Sequence, residues 1–264
     1  MNRGLIIISS AVVFLFIYIY IVFDINNYKT QIENILSRET NVNVSINGNI
    51  DLKFGIKSTI FANDISVTKD GKSLIDAGVF SSQLSIVNIL SNKLEINSFS
   101  LEDVKFYGIN IDETLIKTYN AFAGRNYAMT NTRYSNIKKI DSSGYIKEKI
   151  LYIEEISIIT ELLILSGSGK IDFDTNSLSL ETISQVRDEE SVKGKYNELY
   201  PAYLVDTKLP TKFYGDIENP KIDIGYSDVI VNKLKEEIQN RAINSLKDKI
   251  IEKLDEEIKI KLPF

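Results

Sequence analysis

Residues 42–54 read VNVSINGNIDLKF, and this stretch is the clearest sign of a β-rich fold because its apolar side chains occupy nearly every second position. A period of two is typical of a β-strand that buries one face. Asn47-Gly48 interrupts the alternation and indicates a turn or a bulge. The stretch therefore predicts two short strands.

The alternating pattern continues toward the C-terminus. It returns in residues 60–67 and then at Leu84 and Ile86, Leu94 and Ile96, and Val104 and Phe106. Asp70-Gly71 is the clearest hairpin turn in this part of the chain. We predict an antiparallel meander with one apolar face and one face in water.

Residues 112–144 are less regular. Their first part, 114–122, has the pattern of a short helix, and the remainder is rich in Asn, Ser and Thr. That remainder also carries four basic residues: Arg125, Arg133, Lys138 and Lys139. We predict an irregular loop over 112–144, which either contacts anionic lipid or is simply solvated.

Strands return after residue 144. Residues 150–165 are almost continuously apolar or β-branched, which predicts a strand or a strand pair covered on both faces. Gly167 and Gly169 do not form a dinucleotide fingerprint, because a third glycine and an immediately following helix are missing. They indicate a bulge or a close approach between strands.

The last third of the chain changes from strand to helix. Residues 185–205 are charged and tyrosine-rich and predict a long loop, and Leu209-Pro210 opens a strand that ends at Asn219-Pro220. Residues 227–264 predict an amphipathic helix that begins at Ser227 or Asp228 and runs to about residue 260.

The apolar residues of this predicted helix recur at every fourth position, and Lys and Glu stand between them: Leu234, Ile238, Ala242, Leu246, Ile250, Leu254 and Ile258. Steps of four exceed the 3.6-residue period, so the stripe winds slowly around the helix. Three roles stay open: the helix lies on a membrane, pairs with a partner helix, or caps the end of the sheet.

The longest apolar run is Leu5 to Phe23, which contains no charge. At 1.5 Å per residue a helix of this length reaches about 28 Å, close to the hydrocarbon thickness of a bilayer. We predict a transmembrane anchor over 5–23. A cleaved signal peptide is the alternative, but the run ends in bulky residues without an Ala-x-Ala site.

The flanks of the run predict its orientation. Arg3 precedes it and Asp24 follows it, which places residues 1–4 in the cytoplasm and the bulk of the chain outside. Residues 24–40 predict an amphipathic linker helix with Ile32, Ile35 and Leu36 on one face. The exterior β-rich domain is then 41–226.

Composition excludes several function classes. The chain has no histidine and no cysteine, which removes Ser-His-Asp triads, thiolate chemistry and the usual zinc sites. A net charge of −5 and a pI near 5.1 argue against a nucleic-acid surface. We predict a protein that is not an enzyme and that has no cofactor, no metal and no nucleic-acid partner.

The order of these parts resembles the AsmA family. The resemblance covers the span, residues 24–33 and residues 40–50 at one end of the chain. At the other end, residues 165–180 resemble the family's Ser-Gly-x-Gly strand pair, and residues 209–221 resemble its closing segment of Pro, strand, Gly, strand and Asn-Pro.

The chain departs from the family pattern in three places. Asn41 stands where the family usually has glycine, and Gly55 stands where proline is common. Family members are also usually much longer, so the chain resembles a short or minimal member.

The resemblance implies a single-pass protein of the inner membrane with its bulk in the periplasm and a role in outer-membrane biogenesis. It further implies that phospholipid is bound or transferred in an apolar groove of a curved sheet. The candidate groove residues are Phe54, Ile60, Ile65, Leu84, Ile86, Leu94, Ile96, Val104 and Phe106. For each of them an ordinary closed core is the alternative.

Two other functions stay open. The first is a non-transporting assembly or scaffold protein that contacts envelope proteins through the C-terminal helix, with Leu234, Ile238, Leu246, Ile250, Leu254 and Ile258 as the contacting face. The second is an enzyme, which requires clustered carboxylates with perturbed pKa values in a cleft.

Overall fold

The structure is a computed structural model of the 264-residue chain. The residues it describes are 24–53, 59–83, 98–122, 127, 130 and 132–225, followed by 231–232, 235–236, 238–240 and 242–250.

The described chain is mainly β. Its strands are β1 (Asn43–Ile46), β2 (Ile50–Lys53), β3 (Thr59–Lys69), β4 (Lys72–Gln83), β5 (Ser98–Tyr107), β6 (Tyr134–Lys147), β7 (Ile150–Thr160), β8 (Leu163–Asp172), β9 (Ser177–Val186), β10 (Leu209–Asp216) and β11 (Asn219–Ile224). Its helices are α1 (Lys29–Thr40), α2 (Ile111–Phe122) and α3 (Glu190–Tyr196), with 3-10 turns at Ile25–Tyr28, Asn197–Leu199 and Ala202–Leu204.

All the strands belong to one antiparallel sheet. From β3 onward each strand pairs with the next one along the chain, and β1 and β2 both pair with β3. The sheet is curved into a half-barrel. The predicted mainly β fold and antiparallel meander are thus confirmed.

One face of this sheet is buried, and it combines aliphatic residues with a smaller number of serines and threonines. Residues directly opposite each other on antiparallel strands lie on the same face, and the register aligns one row of such residues across five strands. That row is Ile65, Ala77, Val104, Ile137 and Thr160, all of them buried. The opposite face is mainly polar, as the strict alternation of exposed and buried residues in β9 illustrates.

The sheet coils so strongly that the β3–β4 turn lies next to the β10–β11 turn. Neighbouring strands rotate by about 20–25° each, so ten strands in sequence nearly reverse the strand direction. The Lys72 ammonium, at the start of β4, lies 2.6 Å from a carboxylate oxygen of Glu218 in the β10–β11 turn. The Lys69 ammonium donates a hydrogen bond to the carbonyl of Phe173 at 3.2 Å. The apolar face is therefore the inside of the half-barrel.

Three segments cover parts of this inner face. The first is α1, which packs over β1 to β3 and buries Ile32. The second is α2, whose Leu115 and Tyr119 have no exposed surface. The third is the segment between β9 and β10, where Leu204 is likewise fully buried.

The structure contains the predicted Asp70-Gly71 turn and the predicted close approach at Gly167 and Gly169. Asp70 and Gly71 both have positive φ (48° and 78°), so they form the predicted tight hairpin turn. A Cβ on Gly167 would lie 2.0 Å from the carbonyl oxygen of Glu181, and one on Gly169 would lie 2.2 Å from that of Ser179. The predicted close approach between strands is confirmed.

The predicted irregular loop over 112–144 is wrong in its second half. Residues 134–147 form β6, in which Lys138 and Lys139 are strand residues, and Arg133 directly precedes the strand. Alternation was hidden because inner-face positions of β6 carry Ser135 and Ser142 instead of aliphatic residues. The helix predicted over 114–122 is confirmed as α2, and Arg125 lies outside the described residues.

Two further strand predictions need correction. Residues 150–165 form the strand pair β7 and β8, but only the inner face is covered, since Glu154, Glu155 and Ile164 are exposed on the outer face. Asn219-Pro220 begins β11 and does not end the preceding strand. The two-residue turn at 217–218 makes this hairpin.

The predictions for the N-terminal part of the chain are only partly tested. The span predicted at 5–23 lies outside the described residues. Within the described residues, no helix combines the length and the apolar character needed to cross a membrane. Residues 24–40 form the predicted linker helix as a 3-10 turn followed by α1.

Candidate functional site

An apolar cavity of about 170 Å³ lies between α1 and the inner face of β1 to β5. Its walls are entirely aliphatic or aromatic: Ile32, Leu36, Val44, Ile46, Ile50, Ile60, Ala62, Ile65, Val67, Phe80 and Leu101. A cavity without polar partners stays free of water, and an engineered cavity of comparable size binds benzene or xenon. The chemistry of the walls therefore favours a hydrocarbon guest.

The roof of the cavity is one face of α1. Ile32 and Leu36 are four residues apart, so they project from the same side of the helix toward the sheet. Asn41 ends the helix with a φ of +52°, a left-handed conformation that asparagine tolerates better than most residues. Asparagine thus serves where the resembled family usually has glycine.

Side chains of α1 hold the helix against the free edge of β1. The amide of Ile46 donates to Oε1 of Glu33 at 2.7 Å, and the amide of Val44 donates to Oγ of Ser37 at 3.0 Å. These bonds satisfy edge donors that would otherwise need a neighbouring strand. The roof is accordingly fixed in its register over the sheet.

The start of the described chain is fixed in the same way. Nδ2 of Asn26 donates to the carbonyl of Ile50 at 3.1 Å, and the amide of Ile50 donates to Oδ1 of Asn26 at 2.8 Å. Ile25 is buried in the core. Ile25 and Asn26 are therefore part of the folded domain.

The apolar surface extends from the cavity along the inner face. Leu52, Phe80, Phe99 and Leu101 are half-buried there, at the ends of β2, β4 and β5. The rings of Phe80 and Phe99 stack with their centroids 6.4 Å apart. Phe80 and Leu101 line the cavity as well, so they join it to this half-buried strip, which we name the apolar rim.

Four of the nine predicted groove residues are described. Ile60 and Ile65 line the cavity, and Val104 and Phe106 lie on the same inner face farther along the sheet. Val104 is fully packed, whereas Phe106 is half-buried. The other five lie outside the described residues: Phe54, Leu84, Ile86, Leu94 and Ile96.

Sequence reasoning missed two walls of the cavity. The predicted alternation does not include Phe80 and Leu101, although Phe80 stands in a strand that starts directly after the Asp70-Gly71 turn. Ile32 and Leu36 were recognised as an apolar helix face. Nothing in their spacing showed that the face would roof the sheet.

Two larger cavities have a different chemistry. One of about 330 Å³ lies at the ends of β3 to β7 and is lined mainly by serine, with Asp141 and Glu155. The other, of about 340 Å³, lies between Gly108 and Arg133 and is lined mainly by polar side chains. Neither offers the continuous apolar wall of the smaller cavity.

The nearest approach to a catalytic arrangement is the carboxylate pair at the start of α2. Removal from water raises the pKa of Asp112 to about 6. Its Oδ1 accepts from Oγ1 of Thr160 at 2.5 Å, and its Oδ2 accepts from the amide of Leu162 at 3.2 Å. The carboxylate of Glu113 is engaged by Asn110 and Thr130.

All four oxygens of this pair are thus used to join α2 to its surroundings. Asp112 connects the helix to the β7–β8 turn, and Glu113 connects it to the segment around Thr130. Among the described residues, no group of three or more carboxylates stands close enough to hold a metal ion. The pair is a structural connection.

The described part of the C-terminal helix comprises residues 231–232, 235–236, 238–240 and 242–250. Its side chains do not cap the sheet, because Ile238, Leu246 and Ile250 are exposed. Of the three roles left open for this helix, a cap on the end of the sheet does not fit these residues. Leu234, Leu254 and Ile258 lie outside the described side chains.

The chain matches no family model, no curated protein and no solved structure. The resemblance to the AsmA family therefore rests on the motifs quoted above.

Proposed function

We propose that this protein is a membrane-anchored, AsmA-like envelope protein whose half-barrel binds phospholipid acyl chain beneath α1 and passes it along the inner face. The observation that carries the proposal is the cavity under Ile32 and Leu36, whose walls are entirely apolar and continue into the apolar rim. An ordinary packed core would fill such a volume with side chains.

The position of the cavity relative to the proposed anchor supports this function. Ile25 is buried and Asn26 is bonded to β2, so a span that ends at Phe23 leaves no flexible linker before the folded domain. The helix α1 has 12 residues and is about 18 Å long. The cavity would therefore lie within about 20 Å of the bilayer surface, where lipid is concentrated.

The size of the cavity fits transient binding. It holds a segment of one acyl chain, and each buried methylene contributes about 0.8 kcal/mol. Five or six methylenes then give about 4–5 kcal/mol, which corresponds to a dissociation constant near the millimolar range. Affinity of this order allows capture next to a membrane and also release, as transfer requires.

The test is photocrosslinking of the full-length chain in vesicles that contain a phospholipid with a photoreactive group in its acyl chain, because a complex with millimolar affinity does not survive purification. Ala62→Leu places a larger side chain in the cavity, and Ile183→Ala changes an exposed residue on the outer face as the matched control. We expect mass spectrometry to map crosslinks to the cavity walls in the wild type and in Ile183→Ala, and to find them strongly reduced in Ala62→Leu. Equal crosslinking of the cavity walls in all three proteins would contradict the proposal.

A scaffold function is the second candidate, and the exposed apolar residues of the C-terminal helix favour it. This function predicts that removal of residues 231–264 abolishes activity in cells while Ala62→Leu leaves it intact. The opposite pattern supports lipid binding in the cavity.

A further inference from the structure

The C-terminal helix presents an apolar face that no part of the described fold covers. Ile238, Ile243, Leu246 and Ile250 have 42%, 49%, 60% and 56% of their surface exposed, respectively, whereas the aliphatic residues of the core have less than 10%. Exposure of four large aliphatic residues on one helix marks a surface that another body contacts.

The angular distribution of these residues indicates a flat contact. With about 100° per residue, Ile238, Ile243, Ile250 and the small Ala242 fall within an arc of about 140° centred near Leu246. A two-helix coiled coil needs a narrower seam that repeats every 3.5 residues. Ile243, Leu246 and Ile250 have this spacing, but the next positions on either side are Gln239 and Lys253, so the seam does not repeat.

The charges around the stripe distinguish a lipid surface from a second copy of the chain. Lys247 and Lys249 flank Leu246 at about 100° and 60° on its two sides, and Asp248 lies about 160° away on the back of the helix. Lys235, Gln239 and Lys249 fall inside the arc, and Glu236 lies at its margin. Lysines next to an apolar face, with an acidic group behind it, are the arrangement of helices that lie on anionic bilayers.

A second copy fits this arrangement less well. A parallel pair would bring Lys247 of one helix close to Lys249 of the other, and these like charges oppose pairing. In an antiparallel pair Lys247 would face Glu236, but Lys235 would face Lys249 on the other side. An anionic surface makes the same lysines favourable, by about 1 kcal/mol each near the membrane, or about a fivefold change in the equilibrium constant. Long lysine side chains also extend their charge toward phosphate groups while their stems stay in the apolar zone.

We infer that the C-terminal helix lies on the surface of an anionic phospholipid bilayer, with Leu246 and Ile250 inserted and Lys247 and Lys249 at the headgroups. This gives the half-barrel a membrane contact that depends on neither the cavity nor the proposed anchor.

The absence of tryptophan from the chain allows a direct test. Leu246→Trp places the single tryptophan on the apolar face, and Asp248→Trp places it on the back of the same helix. Both positions are exposed, so the fold should be unchanged, which far-UV circular dichroism verifies. The full-length variants are reconstituted into phosphatidylcholine vesicles with and without phosphatidylglycerol.

We expect a blue-shifted emission, protected from aqueous quencher, for Leu246→Trp in the vesicles that contain phosphatidylglycerol and a solvent-exposed emission for Asp248→Trp in both. Adding Lys247→Gln and Lys249→Gln to Leu246→Trp should weaken binding by about 25-fold. Identical emission from the two positions would overturn the inference. A blue shift that does not depend on phosphatidylglycerol and increases with protein density would also overturn the inference, because it would indicate helix pairing.

Discussion

Replacement of Asp112 by asparagine should change how the stability of the protein depends on pH. Asp112 is the described acidic residue whose pKa is raised to about 6, because its carboxyl group is removed from water by the β7–β8 turn and the start of α2. The groups that face it are Thr160, Leu162, Glu161 and Tyr196. Glu161 adds to the upward shift of the pKa through its negative charge.

The sign of the effect follows from proton linkage. The pKa of Asp112 is raised in the folded state from an ordinary value near 3.8, so between about pH 4 and pH 6 the folded chain holds a proton that the unfolded chain has released. The stabilisation of the folded state by protonated Asp112 is therefore complete below pH 3.8 and is lost as the pH rises through 6. A shift of about two pKa units corresponds to about 3 kcal/mol.

Asparagine cannot titrate, so this part of the pH dependence should vanish in Asp112→Asn. One accepted hydrogen bond is lost, which lowers stability by about 1 kcal/mol at every pH. Asp24, Asp172 and Glu181 are exposed carboxylates whose lowered pKa values act in the opposite direction, but they are present in both proteins and cancel in the comparison.

The assay is urea unfolding of the full-length chain, followed by far-UV circular dichroism, at several values between about pH 4 and pH 7. The free energy of unfolding of the wild type should fall by about 2 kcal/mol relative to that of Asp112→Asn as the pH rises across this range. If the free energies of unfolding of the two proteins change with pH in parallel, Asp112 does not have a raised pKa in the folded state.

Three further substitutions test the packing. Ala62→Leu should leave stability unchanged or raise it, because the larger side chain fills the apolar cavity. Ala77→Leu, on the same inner face but outside the cavity, should lower stability by about 1–3 kcal/mol through overpacking. Thermal melts that show the reverse order would contradict the presence of the cavity. Gly167→Ala should destabilise the sheet by at least about 3 kcal/mol, since its Cβ would overlap the carbonyl of Glu181, while Gly194→Ala has open space and serves as the control; equal urea midpoints for the two would argue against the close approach. Asn26→Ala should lower stability by about 1–3 kcal/mol, because it removes both hydrogen bonds to Ile50. Hydrogen exchange at the Ile50 amide should accelerate, and unchanged protection of that amide would contradict these two hydrogen bonds.

The sequence predicts those strands in which each inner-face position is aliphatic and each turn carries its usual residues. Asp70-Gly71 is such a turn, because both residues readily adopt a positive φ. The turn between β6 and β7 is Glu148-Lys149, which also has positive φ at both positions but carries no glycine to signal it. Local pattern alone gives no reason to place a turn there.

Strand β6 itself was missed for a related reason. Its inner-face residue Ser135 accepts a hydrogen bond from the amide of Ile111 at 2.9 Å and donates one to the carbonyl of Ile109 at 2.8 Å. Ser142 likewise donates to the carbonyl of Glu155. These serines are buried because α2 and β7 supply partners, and that information lies in tertiary contacts that the strand's own sequence does not contain.

The candidate site could be predicted only in part. The alternation identifies Ile60 and Ile65 as inner-face residues, and helical spacing identifies Ile32 and Leu36 as an apolar helix face. That the helix roofs the sheet and leaves a cavity depends on the bonds from β1 to Glu33 and Ser37. The coiling that brings Lys72 to Glu218, 146 residues away, is a property of the whole sheet.

The proposed function requires that an acyl chain occupies the cavity beneath α1. The most direct measurement introduces the only tryptophan of the chain at Phe80, on the cavity wall, and adds phospholipid with bromine atoms in its acyl chains. Tyr214→Trp, on the exposed outer face, is the control. We predict that the brominated lipid quenches Phe80→Trp much more than Tyr214→Trp and that adding Ala62→Leu relieves the quenching; equal quenching at the two positions, or quenching that Ala62→Leu does not change, would contradict the account.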